Sequence, residues 1–337
     1  MKLLTTKPVL LMGSSAILLV ITAIYLLTIG TADISAPTVF SIITHKIFGM
    51  PNPDIPMPEQ IIVWNFRWQR VALAMLVGSC LAVSGTCFQT MFKNPLADPF
   101  ILGVSSGAAL GAAIAIVSGH TELMIILAFI GAILSLSIVY FLGQSFLYPS
   151  DQQLLLAGVA CGAMLNAMLS ALMAIHSQQM QMIVFWLMGS LTNYVDSLKP
   201  LVAIVGICII IVMVYASDLD IIALGDEDAK FLGVDVNKVK PLLLIVTSLM
   251  TGACVSVSGI IGFIGLIIPH IVRKIAGSSH IVLLPLSAIF GAIFLLAADG
   301  LTRTVPQLAS LPVGVVTALF GGPFFFYILR VAGRRVS

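Results

Sequence analysis

The residues that could do chemistry in this chain are few and scattered. Cys80, Cys87, Cys161, Cys208 and Cys254 all stand in apolar runs with no CxxC or Cys/His ligand spacing. That pattern reads as small packing residues, not metal ligands or disulfide partners. His270 follows Pro269 and, like His176, reads as a helix-end residue. No GxxxxGKS or GxxxxGKT loop is present to cradle a phosphate, and no HExxH or GxSxG motif supports hydrolysis. The chain is therefore expected to be no enzyme and to bind no metal or cofactor of its own, so any ATP must be handled by another polypeptide. An ion-coupled carrier keeps acids in mid-membrane. Here Asp98, Asp151 and Asp299 fall near the ends of apolar runs, which weighs against secondary transport but leaves it as the alternative.

Charge is concentrated in one place. ALGDEDAKFLGVDVNKVK, Ala223–Lys240, carries seven charges in a chain that is 9% charged. Asp226, Glu227 and Asp228 suit the first turn of a short helix, whose positive dipole end favours acids. Gly233 suits a left-handed C-terminal cap. Leu224, Phe231 and Leu232, at i, i+7 and i+8, give the segment an apolar side. A docking helix and a solvated loop both fit these residues.

The elements that position these groups are set by composition. With 59% hydrophobic residues the chain reads as an all-α polytopic membrane protein in a lipid bilayer, a single domain over residues 1–337. A net charge of +2 with singly scattered basic residues excludes a nucleic-acid partner. About ten runs have the length a membrane helix needs. They lie near Pro8–Ile29, Ile61–Met91, Pro99–Val117, Leu123–Phe146, Leu154–Ile175, Leu198–Tyr215, Leu242–Gly259, Ile260–Val272, Ile281–Ala298 and Leu311–Val331. Threading them with the N-terminus inside leaves eleven of the sixteen Lys and Arg residues on the inner side, which predicts cytoplasmic N- and C-termini. GSCLAVSG, Gly78–Gly85, returns as GACVSVSG, Gly252–Gly259, at an offset that also pairs Pro95 with Pro269, Gly103 with Gly277 and Ser105 with Ser279. Five spans separate the copies, so the expectation is an inverted internal repeat. In KNPLADPFILGVSSGAALG, Lys93–Gly111, Pro99 is expected to open a helix that presents Gly103, Gly107 and Gly111 on one face for close helix approach.

RWQRVALAMLVGSCLAVSGTCFQTMFKNPLADPFILGVSSGAALG resembles the signature region of the FecCD-type permeases, membrane subunits of ABC importers for cobalamin, haem and iron-siderophores. LLLAGVACGAML, FWLMGSL, ALGDEDAKFLGV, SGIIGFIGLIIPHIVR and LPVGVVTALFGGPFFFYIL continue the resemblance in family order. It implies a multi-pass homodimer in the bacterial inner membrane, served by two cytoplasmic ABC ATPase subunits and a periplasmic substrate-binding protein. It further implies that residues 217–240 form the cytoplasmic coupling segment, with Leu224, Gly225, Asp226, Glu227, Ala229, Phe231, Leu232 and Gly233 at the ATPase contact. Arg67, Arg70 and Arg303 correspond to external arginines that receive acidic residues of the binding protein. Ser150, Asp151 and Gln152, in the polar turn SDQQ, correspond to a cytoplasmic gate. The path residues would be Gly158, Gly162, Asn166 and Ser170, spaced by four on the fifth span, with Asn166 either lining the path or joining helices. RWQR, and Ser310 where Glu is frequent, depart from the family pattern, so a smaller metal-containing oxyanion such as molybdate stays open beside the chelates.

Overall fold

Backbone groups in lipid have no water to bond, so apolar runs of this length can satisfy them only as helices. A computed structural model describes residues 6–30, 32–50, 55–143, 151–192, 198–308 and 311–333. They fold into α1 (Thr6–Thr28), α2 (Ala36–Phe48), α3 (Met57–Ile61), a π-helix (Ile62–Trp68), α4 (Gln69–Met91), α5 (Val104–Val117), α6 (Met124–Gly143) and α7 (Asp151–Ile175). There follow α8 (Met180–Leu187), α9 (Lys199–Val214), α10 (Ala216–Ile222), α11 (Asp226–Phe231), α12 (Val236–Ser258), α13 (Ile264–Ala276), α14 (His280–Thr304) and α15 (Val313–Gly333). No strand occurs among the described residues.

Each expected run overlaps one of these helices. Among the described residues, six stretches are long and apolar enough to cross a membrane: Lys7–Thr28, Met57–Met91, Thr121–Gly143, Gln152–Ile175, Val236–Ser258 and His280–Thr304. The α9–α10 pair, bent by 56°, makes a seventh if taken as one span. By contrast α5, with 14 residues, and α13, with 13, are each only about 20 Å long, short of a hydrocarbon core of about 30 Å. Length alone therefore does not establish ten crossings.

Two helices, α4 and α12, are buried along most of their length, whereas α1 and α7 expose most of theirs. Small residues make that burial achievable. A Cβ at Gly78 would overlap the Gly291 carbonyl of α14, and one at Gly85 would overlap Gly265 of α13. Side-chain hydroxyls then join the closely set backbones: Ser79 Oγ donates to the Ala288 carbonyl at 2.9 Å, and Thr251 Oγ1 lies 3.0 Å from Ser84 Oγ. The expected glycine stripe packs as read, since Gly103, Gly107 and Gly111 meet Ser135, Gly131 and Leu127 of α6 in turn. Its start differs. Pro99 opens only a one-turn 3-10 helix (Pro99–Leu102), capped by Asp98 Oδ1 accepting from the Phe100 N–H at 2.8 Å. The α-helix begins after Gly103, whose φ of +75° makes the turn that separates the two.

The repeat also needs correction. Order recurs at the level of elements: α4 leads to the short α5 and the long α6, as α12 leads to the short α13 and the long α14. The packing crosses over, with α4 against α13 and α14, and α12 against α5 and α6. Outside the GSCLAVSG and GACVSVSG segments the constant offset does not pair equivalent positions. Gly103 precedes α5 while Gly277 ends α13, and Pro95 lies in a turn while Pro269 lies inside a helix. Connections of unequal length shift the offset from one element to the next.

If backbone contact sets these crossings, Gly78→Leu and Gly107→Leu should each lower the thermal midpoint of the detergent-purified protein. Overpacking of this kind costs about 1–3 kcal/mol or more. Gly13→Leu, at a position with open space around it, should not change it. Size-exclusion profiles with thermal ramps provide the comparison.

Candidate functional site

The charged stretch folds as the reading of its residues required. Asp226, Glu227 and Asp228 fill the first turn of α11. At its far end the Val234 N–H donates to the Ala229 carbonyl at 3.0 Å and the Gly233 N–H to the Lys230 carbonyl at 3.1 Å. With Gly233 at φ +92° this is a Schellman cap, which stops the helix after six residues. Ala229 is fully buried, so one face of α11 seats on the body of the protein. The other face is bare: Phe231 is 90% exposed, Leu224 66% and Leu232 60%.

Two polar ties hold this segment. Asp226 pairs with Lys93, just beyond α4, at 2.8 Å and with Lys240 of α12 at 2.6 Å. Burial acts to raise the Asp226 pKa, but the hydrogen bonds and charges of Lys240 and Lys93 outweigh it and hold the carboxyl below its ordinary value. A carboxylate whose folded pKa is depressed keeps its tie at any pH above its unfolded value of about 3.9, and loses it as pH falls through the lower folded value. The second tie runs through Asp220 of α10. Its Oδ1 accepts from the His280 backbone N–H at 2.8 Å and bonds His280 Nδ1 at 2.6 Å. His280 Nε2 in turn bonds Thr90 Oγ1 of α4 at 2.7 Å. Beside them Gln89 donates to the Gly265 carbonyl at 2.9 Å and accepts from Arg273.

At the opposite end of α4, about 34 Å away for 23 helical residues, the three arginines gather. The resemblance implies that they receive acidic residues of a binding protein; in the structure each also has a partner within the chain. Arg67, turned in by the π-helix, is only 5% exposed and donates to the carbonyls of Leu27, Thr28 and Ala32, which caps the C-terminus of α1. Gly30 leaves room for that guanidinium, since a Cβ there would strike it. Arg70 Nε lies 2.8 Å from Asp299 Oδ1, and Arg303 Nη2 lies 2.7 Å from Asp299 Oδ2. Asp299 is fully buried between them. All three arginines line a cavity of about 730 Å³ with Met182, Phe185 and Trp186 on its walls. No acidic side chain is among the described residues that line it. Three guanidinium groups against one buried carboxylate leave it formally positive.

The remaining expectations meet a different geometry. Ser150 lies outside the described residues, as does Ser310. Asp151 and Gln152 belong to the first turn of α7. The supposed path stripe does not share a face. Four residues advance a helix by about 400°, so each step drifts about 40°. Gly158 is buried against the Ile101 carbonyl and Gly162 lies near Ser106, whereas Asn166 and Ser170 have rotated to the exposed surface. Asp299, Asp220 and His280 were not read as site residues. The i, i+4 spacing of Asp299 and Arg303 was a usable signal for the first; nothing local pointed to the pairing of the other two.

Comparison with known proteins places this geometry among relatives. Residues 18–331 match the model of the FecCD transport family. The chain is 42% identical over 282 residues to the cobalamin import system permease protein BtuC of Halobacterium salinarum, covering 82% of this chain and 75% of that protein. It is 39% identical to the hemin transport system permease protein HmuU of Yersinia pestis, covering 98% of each. Among solved structures, a metal-chelate type ABC transporter in an inward-facing conformation superposes with a TM-score of 0.83 at 30% identity, covering 95% of this chain and 98% of that one.

The buried carboxylate is the critical member of the arginine cluster. Asp299→Ala leaves Arg70 and Arg303 facing each other unneutralised, a loss of about 3–5 kcal/mol for a broken buried pair. Its thermal midpoint should fall well below that of Arg70→Ala, which removes only the more exposed partner; equal shifts would show that burial of Asp299 adds nothing.

Proposed function

The chain belongs to the FecCD transport family, and we propose that it is the membrane permease of an ATP-driven importer for a metal chelate. In this reading it supplies the alternating-access path and catalyses nothing, while ATP is hydrolysed on a separate subunit. The observation that carries it is α11: a rigidly capped, doubly tied helix of six residues that leaves Phe231, Leu224 and Leu232 bare. An apolar knob of that kind on an otherwise charged segment suits insertion into a groove of a cytoplasmic ATPase. Gly225 and Gly233 bound it, Glu227 adds charge at its edge, and Ala229 and Asp226 fix it to the body.

The same reading assigns the positive cavity to an acidic group of a substrate-binding protein on the other side of the membrane. Arg70 is the arginine best placed to meet that group, and Arg67 and Arg303 act by position and field. The bilayer is then the bacterial inner membrane, with both chain termini cytoplasmic, ten crossings and two inverted halves. On α7 the exposed face carries Ala160, Ala163, Asn166, Ala167, Ser170 and Ala171, with the larger Leu156 and Val159 among them. An amide bare to lipid is costly, and small residues invite a helix, so this face suits a second copy of the chain with the path between the two. Two ATPase subunits would serve that homodimer. The gate is assigned to the inner end of α7, near Asp151 and Gln152. The names of the relatives favour cobalamin, haem or an iron chelate over a small oxyanion such as molybdate.

Sealed vesicles containing the permease and its ATPase separate this reading from ion-coupled transport. Uptake of an iron-siderophore, haem or cobalamin should follow ATP enclosed on the cytoplasmic side and ignore a collapsed proton or sodium gradient. Phe231→Asp should insert normally yet lose ATP-driven uptake by about tenfold or more, as expected when a buried apolar anchor is replaced by an unpaired charge. Full uptake by that variant would remove α11 from the ATPase contact.

A further inference from the structure

The α4–α14 pair runs from one end of the molecule to the other. Antiparallel α4 and α14 touch backbone to backbone at Gly78 and Gly291, and are pinned by Ser79 to the Ala288 carbonyl at 2.9 Å and by Thr86 to Ser287 at 3.2 Å. At the cavity end they are locked by Arg70 and Arg303 on Asp299. At the other end the lock is His280, the first residue of α14, which is 3% exposed and reaches Thr90 of α4. Tied at the ends and in the middle, the pair is built to move as one body.

Asp220 is the polar side chain that ties that end lock to the segment leading into α11, beside the buried apolar contacts of Leu219 and Ile222. Asp220 stands on α10, between the bend after α9 and the start of α11. It satisfies the His280 backbone N–H, bonds the His280 ring, and accepts from Ser279 Oγ at 3.2 Å. A displacement of α10 and α11 therefore reaches α4 and α14 together, through a buried imidazole instead of through solvent. The Asp226 tie runs elsewhere: its half-exposed partner Lys93 lies just beyond α4, where such pairs contribute little, and its buried partner Lys240 belongs to α12, so it holds α11 to α12 and not to the α4–α14 pair.

We infer that Asp220, His280 and Thr90 are the positioning residues that pass the state of the ATPase from the coupling segment into the α4–α14 pair, and so to the arginine cavity at the far end. This rests on the assignment of α11 to the ATPase contact. None of the three touches the bare Phe231 face, and none lines the cavity.

The test uses the full permease in complex with its ATPase. Because all five native cysteines are buried, a fluorophore can be placed selectively on Thr121→Cys, at the cavity wall opposite α4. The probe added is a non-hydrolysable ATP analogue. In the otherwise unchanged protein the analogue should shift the emission of the label. Thr90→Val, which keeps the side-chain volume and loses the bond to His280, should reduce that shift by about fivefold or more, the lower range of ordinary coupling between sites. Thr90→Ser should restore it, and Asp220→Ala should lose it as Thr90→Val does. Co-elution with the ATPase should be unchanged in all of them, a result that a merely destabilised permease would not give. A full emission shift in Thr90→Val, or its loss in Thr90→Ser as well, would overturn the inference. So would a silent label in the unchanged complex, while failure of the unchanged permease to hold any ATPase would strike the assignment of α11 instead.

Discussion

Close backbone contact along α4 is the constraint on which the structure depends. In lipid, apolar side chains gain nothing by leaving their surroundings, so helices associate through van der Waals contact and hydrogen bonds. Those interactions need short distances. Gly78 and Gly85 provide them, one against α14 and the other against α13, and the intervening serine and threonine hydroxyls bond across the seams. The same economy holds between α5 and α6 along the Gly103, Gly107 and Gly111 face. A bundle built this way resists bending within a contact and yields between contacts.

Among the described residues, buried charge gathers at the two ends of that bundle, where specific partners meet it. Asp299 binds two guanidinium groups, Arg67 caps the carbonyls of α1, and Asp226 draws two lysines to α11. The two ends differ in what remains. The cavity end keeps an excess of positive charge in a partly enclosed space, which suits an anionic partner. The α11 end keeps an uncovered apolar surface, which suits a groove. Under the proposed function these two surfaces would meet partners of different kind.

Much of this was legible in the residues. Six of the apolar runs fall on helices long enough to span, the Gly233 cap closes as its type and position imply, and the exposed side of the α11 segment carries the three apolar residues read for it. These depend on near neighbours, through helix periodicity and left-handed backbone. The misreadings depend on distance. A spacing of four looked like a face on α7, but drift separated Gly158 from Ser170. Pro99 looked like a helix start, but Gly103 breaks the helix between them. The internal partners of the arginines could not be read locally, because they lie as many as 277 residues away, as for Arg303 and the Leu26 carbonyl.

The sequence by itself determined that the chain lives in a membrane, where its helices run, and that one short polar segment would carry an apolar anchor. Composition, hydropathy and cap chemistry are local quantities, and they suffice for those conclusions. Only the tertiary structure decided that Arg70, Asp299 and Arg303 form one cluster, that Asp220, His280 and Thr90 form another, and that the α4–α14 pair runs between them. Each cluster is assembled from helices far apart in the chain, and in a bundle packed by glycines the crossing points, not the order of residues, choose which side chains meet.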